Sequence, residues 1–405
     1  MRILHTADWH LGKNLEGLTR LEEQETFLRD FEDLVEESEV DLILLAGDVY
    51  DSYNPPAKAE NLFYETLKRL SKNGERMIII IAGNHDNPER LVAASPLARE
   101  HGIVMLATPK TKIEEGIYGK HEVKKAGEGY IEIEIKGERA VLLTLPYPSE
   151  KRLNEIWHTD ADEKEEAKTY SDKMKDLFKR LESNYREDTI NLVMSHLFVT
   201  GATETGSERS IQLGGSFIVS PDVFPQKAQY VALGHIHKPM KIKGSGPIIR
   251  YAGSPLHYNK KEISFEKGCF VIEAKANAEP IIEEKKFKVY KPIEVWKCKG
   301  IEEALSKCEE NKERECWVYL EIETDAYITE EQMKQIKSLK KDVLEILPKI
   351  KTEEEEIEVT SLSEKSFLEL FESFYKKERG VDPSDEVVEC LLGIVEGEEQ
   401  SSETD

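Results

Sequence analysis

No apolar run in this chain is longer than about eight residues, against the roughly 18 that a membrane-crossing helix needs. No signal-peptide pattern follows Met1, so a cytoplasmic protein with no membrane attachment is expected. Cysteine is scarce. Cys269, Cys298, Cys308, Cys316 and Cys390 are odd in number and show no CxxC spacing, which excludes a disulfide framework and thiolate zinc knuckles and fits a reduced compartment. Basic charge is in deficit too, with 56 Lys and Arg against 80 Asp and Glu, a net of −24. Residues 352–405 hold 18 of those acids and 4 of the bases, whereas 285–351 carry 15 bases against 14 acids. Bulk charge therefore neither supports nor excludes a nucleic-acid partner, and any such footprint must be local.

What the chain does have is a repeated event. Five short runs rich in β-branched residues and Leu each end in metal-ligand chemistry. RILHTA leads to Asp8 and His10, VDLILLAG to Asp48, MIIIIAG to Asn84, His85 and Asp86, TINLVMS to His196, and YVALG to His235 and His237. Runs without polar alternation suit strands buried on both faces. Ligands of open α/β sheets collect at the carboxyl edge of such strands. Imidazole, carboxylate and one amide form a set suited to Mn, Fe or Zn, and one Asp able to reach two ions lets seven residues hold a metal pair about 3.5–4 Å apart. Such a pair clamps the attacking and leaving oxygens of a phosphoester displacement.

Between these runs, helical spacing is expected over 20–39, 57–72 and 89–101, and short strands over 103–145 extend the sheet in antiparallel fashion. A charged helical insertion fills 150–188, and a Gly/Ser/Thr-rich loop over 199–216 carries Arg209. The turn Ala252-Gly253-Ser254-Pro255 offers close backbone approach at Gly253 and a donor at Ser254. Residues 1–284 are expected to form the main domain and 285–351 a small α+β domain. An acidic linker follows over 352–362, then a helical segment over 363–395 and a disordered tail over 396–405. The stripe Phe367, Leu370, Phe371, Phe374 and Tyr375 is too apolar for so short a helix pair to bury itself, so a partner is expected there.

The motifs DWH, GDVYD, GNHD, SH and GHIH, in that order, resemble the calcineurin-like metallophosphoesterases. MRILHTADWHLG, GDVYDSYNPP and YVALGHIHKP leading to YAGSP are similar to the SbcD-type nuclease subunits within them. The resemblance implies a four-layer αββα sandwich with a capping domain and a C-terminal helical tail. It implies a Mn-dependent DNA nuclease working with an SbcC-like ATPase in end processing, repair and recombination, as a homodimer within a heterotetramer. By position, Asp8, His10 and His237 would hold one Mn ion, Asn84, His196 and His235 the other, and Asp48 would bridge. His85 would be the catalytic histidine and Asp86 its orienter; Arg209, Gly253 and Ser254 would touch substrate. Asp51 stands where archaeal and eukaryotic members have a histidine, so a second catalytic histidine is not carried over. Two other functions are open: a phosphatase on a non-DNA substrate and a non-catalytic DNA-end scaffold. Ser52-Tyr53 after Asp51 and Asp86 after His85 depart from the GDxxDRG and GNHE of phosphoprotein phosphatases.

Overall fold

The computed structural model describes residues 1–149, 170–208, 218–244, 246–324 and 327–349, with Tyr375, Pro383 and Val387 beyond them. The chain divides into two units, Met1–Lys349 and Ile350–Asp405. In the second, the expected acidic linker, the helical stripe and the tail lie outside the described residues, apart from Tyr375, which is helical and half-buried.

In the first unit the helix Leu21–Glu37 buries Phe27, Leu28, Phe31 and Val35, one stripe at helical spacing. A second, Ala57–Leu70, starts at extended Pro56, which cannot continue a helix backwards, and buries Leu62, Phe63, Leu67 and Leu70. The expected helix over 89–101 is broken instead into Pro88–Val92, Ser95–Ala98 and a last tight turn that ends at Gly102 in the left-handed region. Pro88 and Pro96 each start a new segment because neither can donate to a preceding turn.

Two sheets face each other. The first runs edge to edge as Ile281–Lys286, Gly268–Glu273, Arg2–Thr6, Leu42–Ala46, Met77–Ile81 and Ile103–Leu106, with the last four parallel and the first two antiparallel. The second runs as Met240–Ile242, Ile248–Tyr251, Tyr230–Gly234, Ile190–His196, Glu138–Leu145, Tyr130–Ile135, His121–Gly127 and Gly116–Tyr118. Its centre, from Ile248–Tyr251 to Glu138–Leu145, is parallel. The hairpins over 116–145 therefore belong to this second sheet and do not extend the first.

The period of two along each strand sorts its side chains into different cores. Ile43, Leu45, Ile78 and Ile80 meet the helices at Phe27, Phe31 and Phe63, while Leu42, Leu44, Ile79 and Ile81 meet Leu142, Leu192, Met194 and Ala232 between the sheets. Val141, Leu143, Val193 and Leu233 face outwards onto the helix Tyr170–Leu181 through Met174, Leu177 and Phe178. Both faces of both sheets are thus covered, the αββα layering.

Residues Ile293–Cys298, Trp317–Glu323 and Val343–Lys349 form a separate parallel sheet. The helices Ile301–Glu310 and Glu330–Leu339 cover one of its faces, around Val318, Leu320, Ala304 and Ile336. The other face packs Ile293, Trp317, Tyr319 and Leu344 on Leu15. Trp317 Nε1 donates to Glu23 at 3.1 Å and Tyr319 donates to Glu16 at 3.2 Å, which fixes this small layer near the start of the first helix. The strand Ile281–Lys286 runs across the boundary placed at 284–285.

Candidate metal centre

The seven candidate ligands come from both sheets. Asp8 and His10 follow Arg2–Thr6, Asp48 follows Leu42–Ala46 and Asn84 follows Met77–Ile81 in the first; His196 closes Ile190–His196 and His235 and His237 follow Tyr230–Gly234 in the second. The carboxyl edges of two facing sheets converge, at one edge of the sandwich. The turn after each strand has to be tight. Asp8 (φ 54°), His10 (φ 46°), Asp48 (φ 49°) and His235 (φ 103°) all take backbone angles that side chains seldom adopt. Strain of that kind costs about 1–3 kcal/mol per residue and persists only where surrounding structure enforces it.

The glycines before the ligands make the convergence possible. A Cβ at Gly47 (φ 88°) would lie 2.3 Å from His196 Nδ1, and one at Gly234 would lie 1.8 Å from the Ala46 carbonyl oxygen. Gly234→Ala should therefore push the sheets apart at this edge. We expect a destabilisation of at least about 1–3 kcal/mol, the usual cost of overpacking, together with loss of bound metal, read by calorimetric melting and by metal analysis. A variant that melts and loads like the wild type would contradict the close approach.

The ligand atoms fall into two groups. His10 Nε2 lies 3.0 Å from His237 Nε2 and 3.6 Å from Asp48 Oδ2. His196 Nε2 lies 2.9 Å from Asn84 Oδ1 and 3.4 Å from Asp48 Oδ2, and His235 Nδ1 lies 3.3 Å from Asn84 Oδ1. Asp8 accepts the main-chain N–H of His235 at 2.9 Å. Asp48 Oδ2 thus stands between the groups. Bonds of about 2.1 Å at right angles give coordination edges of about 3 Å, close to these spacings.

Electrostatics fit a cation in each group. Asp8, His10, Asp48, His196, His235 and His237 are all buried, with at most 1% exposure. Among the described residues neither Asp8 nor Asp48 is paired with a Lys or Arg. His196 donates Nδ1–H to the Ala46 carbonyl at 2.9 Å, so its Nε2 lone pair faces the Asn84 and Asp48 oxygens. Only a proton or a metal ion relieves lone pairs set against one another. Burial pushes His10 down to about 3 and lowers His235, which keeps both imidazoles in the neutral form that binds metal. Burial would lower His196 as well, but Asp48 and Asp8 carry it up to about 9, which marks the place where a metal would replace a proton. His235 Nε2 and His10 Nδ1 are buried without a hydrogen-bond partner.

Residues 1–239, the stretch that carries all seven candidate ligands, match the family model described as calcineurin-like phosphoesterase. The chain belongs to that family. Within it, the D subunit of nuclease SbcCD from Bacillus subtilis (strain 168) is 38% identical over 402 residues, 99% of each chain. The D subunit of nuclease SbcCD from Rhodobacter capsulatus is 33% identical over 288 residues, 69% of this chain and 68% of that one. Residues 289–379 match a second model, described as a Type 5 capsule protein repressor C-terminal domain. A solved dimetal phosphatase from Danio rerio overlays with a TM-score of 0.41 at 12% identity, over 71% of this chain and 97% of that one.

Beyond the ligands, the structure of this calcineurin-like phosphoesterase reassigns several residues. His85 is half-buried beside the candidate ligands, its ring edge-on to His10 at 4.7 Å between centroids. Its Nδ1 donates to the main-chain carbonyl of Asp51 at 2.7 Å. Asp86 is therefore not its orienter. That carboxylate accepts the main-chain N–H groups of Gly83 (2.8 Å), Tyr50 (2.9 Å) and Val49 (3.1 Å), tying the turn after Asp48 to the turn before Asn84. Burial and the nearby Asp48 push its carboxyl up to about 6 against the pull of those amides.

Ser254 is fully buried, donates to the Leu256 carbonyl and accepts from Lys267, and Gly253 (φ 79°) has Pro239 and the His237 carbonyl where a Cβ would go. Both are buried and support the His237 turn from behind. Arg209 lies outside the described residues. His5 is structural, held by Tyr230 and the Leu233 carbonyl.

Other residues were not foreseen. Gln24 donates to the His10 carbonyl at 2.8 Å and accepts from Gly12, and Tyr258 donates to the Trp9 carbonyl at 2.5 Å. The signal for Gln24 was available, since it sits one turn before Phe27 and Leu28 on the apolar face of its helix. Asp51 pairs with Lys13 at 2.6 Å and faces His10 Nδ1 at 3.4 Å. Burial would raise its carboxyl, yet His10 and Lys13 hold it well below the ordinary range.

Proposed function

We propose that this phosphoesterase is a Mn-dependent DNA nuclease subunit, a 3′–5′ exonuclease on duplex DNA and an endonuclease on single-stranded and hairpin DNA. It acts with an SbcC-like ATPase in DNA-end processing, repair and recombination. The observation that carries the reading is the set of candidate ligands, six of them 2.9–3.6 Å from one another and Asp8 within 4.8 Å of His10 and Asp48, in a chain that aligns over 99% of its length with the D subunit of a nuclease SbcCD. Asp8, His10, His237 and Asp48 would hold one ion, and Asn84, His196, His235 and Asp48 the other. Two such ions supply Lewis acidity and activate a water molecule at neutral pH.

The remaining chemistry belongs to side chains. The Asp51 carbonyl fixes the His85 ring by its Nδ1–H and leaves Nε2 free to carry the proton that the departing 3′ oxygen takes up. The His85 main-chain N–H, donated to Asp48 Oδ1 at 2.9 Å, locks that ring to the bridging carboxylate. The test is direct: purified protein with Mn²⁺ is offered linear duplex DNA, hairpin DNA, a phosphomonoester and a phosphopeptide in parallel. Cleavage of both DNAs well above the other two is expected. Faster hydrolysis of the phosphomonoester or phosphopeptide would give the function to a phosphatase, and no turnover of any substrate would leave a DNA-end scaffold.

The apolar stripe from Phe367 to Tyr375 is the proposed contact with the ATPase, as a helix laid against a coiled coil. Homodimer contacts are proposed within 57–101, where Leu97 is 73% exposed. A chain ending at Lys351 should remain folded and cut short DNA with Mn²⁺, yet fail to co-purify with the ATPase. Retained co-purification would place the contact elsewhere. The proposal includes a cytoplasmic location, which the free, buried thiols of Cys269, Cys298, Cys308 and Cys316 support.

A further inference from the structure

The four-residue turn Thr205–Glu208 grips the metal ligand His237 at two points. Glu208 accepts its main-chain N–H at 3.1 Å, and Ser207 Oγ lies 2.5 Å from ring atom Nδ1. Behind Ser207 stands Glu262, fully buried, whose Oε1 accepts the Ser207 hydroxyl and the Thr205 hydroxyl, the latter at 3.1 Å. Behind Glu262 stands Lys267, 3% exposed. Its ammonium donates to Glu262 Oε2 at 2.5 Å, to Ser254 Oγ at 2.7 Å and to the His237 carbonyl at 2.9 Å, so its three protons are spent.

These bonds settle the proton on the ring. Lys267 can only donate, and Glu262 beside it is the acceptor, so Glu262 takes the Ser207 proton. Ser207 Oγ has then only lone pairs to offer His237, whose Nδ1 must carry the hydrogen. The lone pair is left on Nε2, the atom 3.0 Å from His10 Nε2 and directed into the ligand cluster.

We propose that Ser207, backed by Glu262 and Lys267, is the positioning residue that fixes His237 as an Nε2 ligand. The inference rests on reading His237 as a metal ligand. A carboxylate relayed to a ligating imidazole holds its tautomer and orientation, and its loss typically costs about 10–100-fold in metal affinity. Here the relay passes through a hydroxyl, so the turn at 205–208 is tied to the centre by a bond that a change of that turn breaks.

The experiment is a Mn²⁺ titration followed by calorimetry on the full chain, for the wild type, Ser207→Ala, Ser207→Thr and His237→Ala. Ser207→Ala should weaken the site containing His10 and His237 by about 10–100-fold, leave the Asn84, His196 and His235 site near its wild-type affinity, and keep the melting temperature of the chelator-treated protein. Ser207→Thr, which retains the hydroxyl, should restore most of the affinity. In nitrogen NMR of the chelator-treated protein, the His237 ring should move from a fixed Nδ1–H form to a tautomer mixture on Ser207→Ala. If His237→Ala abolishes one metal step while Ser207→Ala changes neither affinity nor tautomer, the positioning role is overturned and the ligand assignment stands. If His237→Ala leaves both steps intact, the ligand assignment itself is wrong.

Discussion

Asp48→Asn is expected to leave a chain that folds, binds at most one metal ion weakly and shows no measurable cleavage. Asp48 Oδ1 accepts the His85 N–H at 2.9 Å, while Oδ2 lies 3.4 Å from His196 Nε2 and 3.6 Å from His10 Nε2, one imidazole from each group. The amide that replaces it has a single oxygen. If that oxygen keeps the His85 bond, an NH2 group with no lone pair to give stands at the bridging position. Both ions lose a ligand in one substitution, and the carboxylate charge that balances them goes too. Metal analysis and nuclease rate are the measurements. A second readout is thermal: metal bound only by the folded state stabilises it by mass action. Added Mn²⁺ should therefore raise the melting temperature of the wild type and barely move that of Asp48→Asn. Wild-type metal content and rate in the variant would refute the two-metal centre.

His85→Asn has the second-largest expected effect, and of the opposite kind. No ligand is removed, and the asparagine amide can still donate towards the Asp51 carbonyl, so both ions and DNA affinity should stay. Cleavage should slow by roughly 10²–10⁴-fold, the usual worth of a positioned general acid. On a nitrophenyl ester, whose leaving group departs without a proton, the deficit should shrink. Loss of metal would make His85 a ligand; equal slowing on both substrates would reduce it to a phosphate contact.

Much of the candidate centre was legible in the amino-acid sequence, because each candidate ligand ends or closely follows a strand and strand ends are easily read. The glycines of GD, GN and GH were part of the same signal. Their reason was not, since the Cβ clashes are with atoms of other strands: His196 for Gly47, Asp48 for Gly83 and Ala46 for Gly234. The two-sheet sandwich was expected from the family resemblance and not from the runs themselves. MIIIIAG and YVALG are equally apolar on both faces, and nothing local says which sheet either joins. Asp86 was misassigned because adjacency to His85 suggested contact, whereas the turn directs its carboxylate towards three backbone amides. Glu262 and Lys267 carried no pattern that pointed to the site, lying 25 and 30 positions beyond His237. Their charged neighbours in sequence lent them the look of surface residues.

The place of the first strand has a consequence for how the protein is made. Arg2–Thr6 pairs on one side with Leu42–Ala46, but on the other with Gly268–Glu273. At synthesis rates of about 5–20 residues per second, that second neighbour leaves the ribosome on the order of ten to fifty seconds after the first strand. During that interval one flank of Arg2–Thr6 offers bare hydrogen-bonding groups, an invitation to pair with another nascent chain. Asp8 and His10 wait with it, since His235 and His237 also emerge late. A metal centre built on these residues would thus be a late product of folding, complete only after translation has passed the strands of the second sheet that carry His196, His235 and His237.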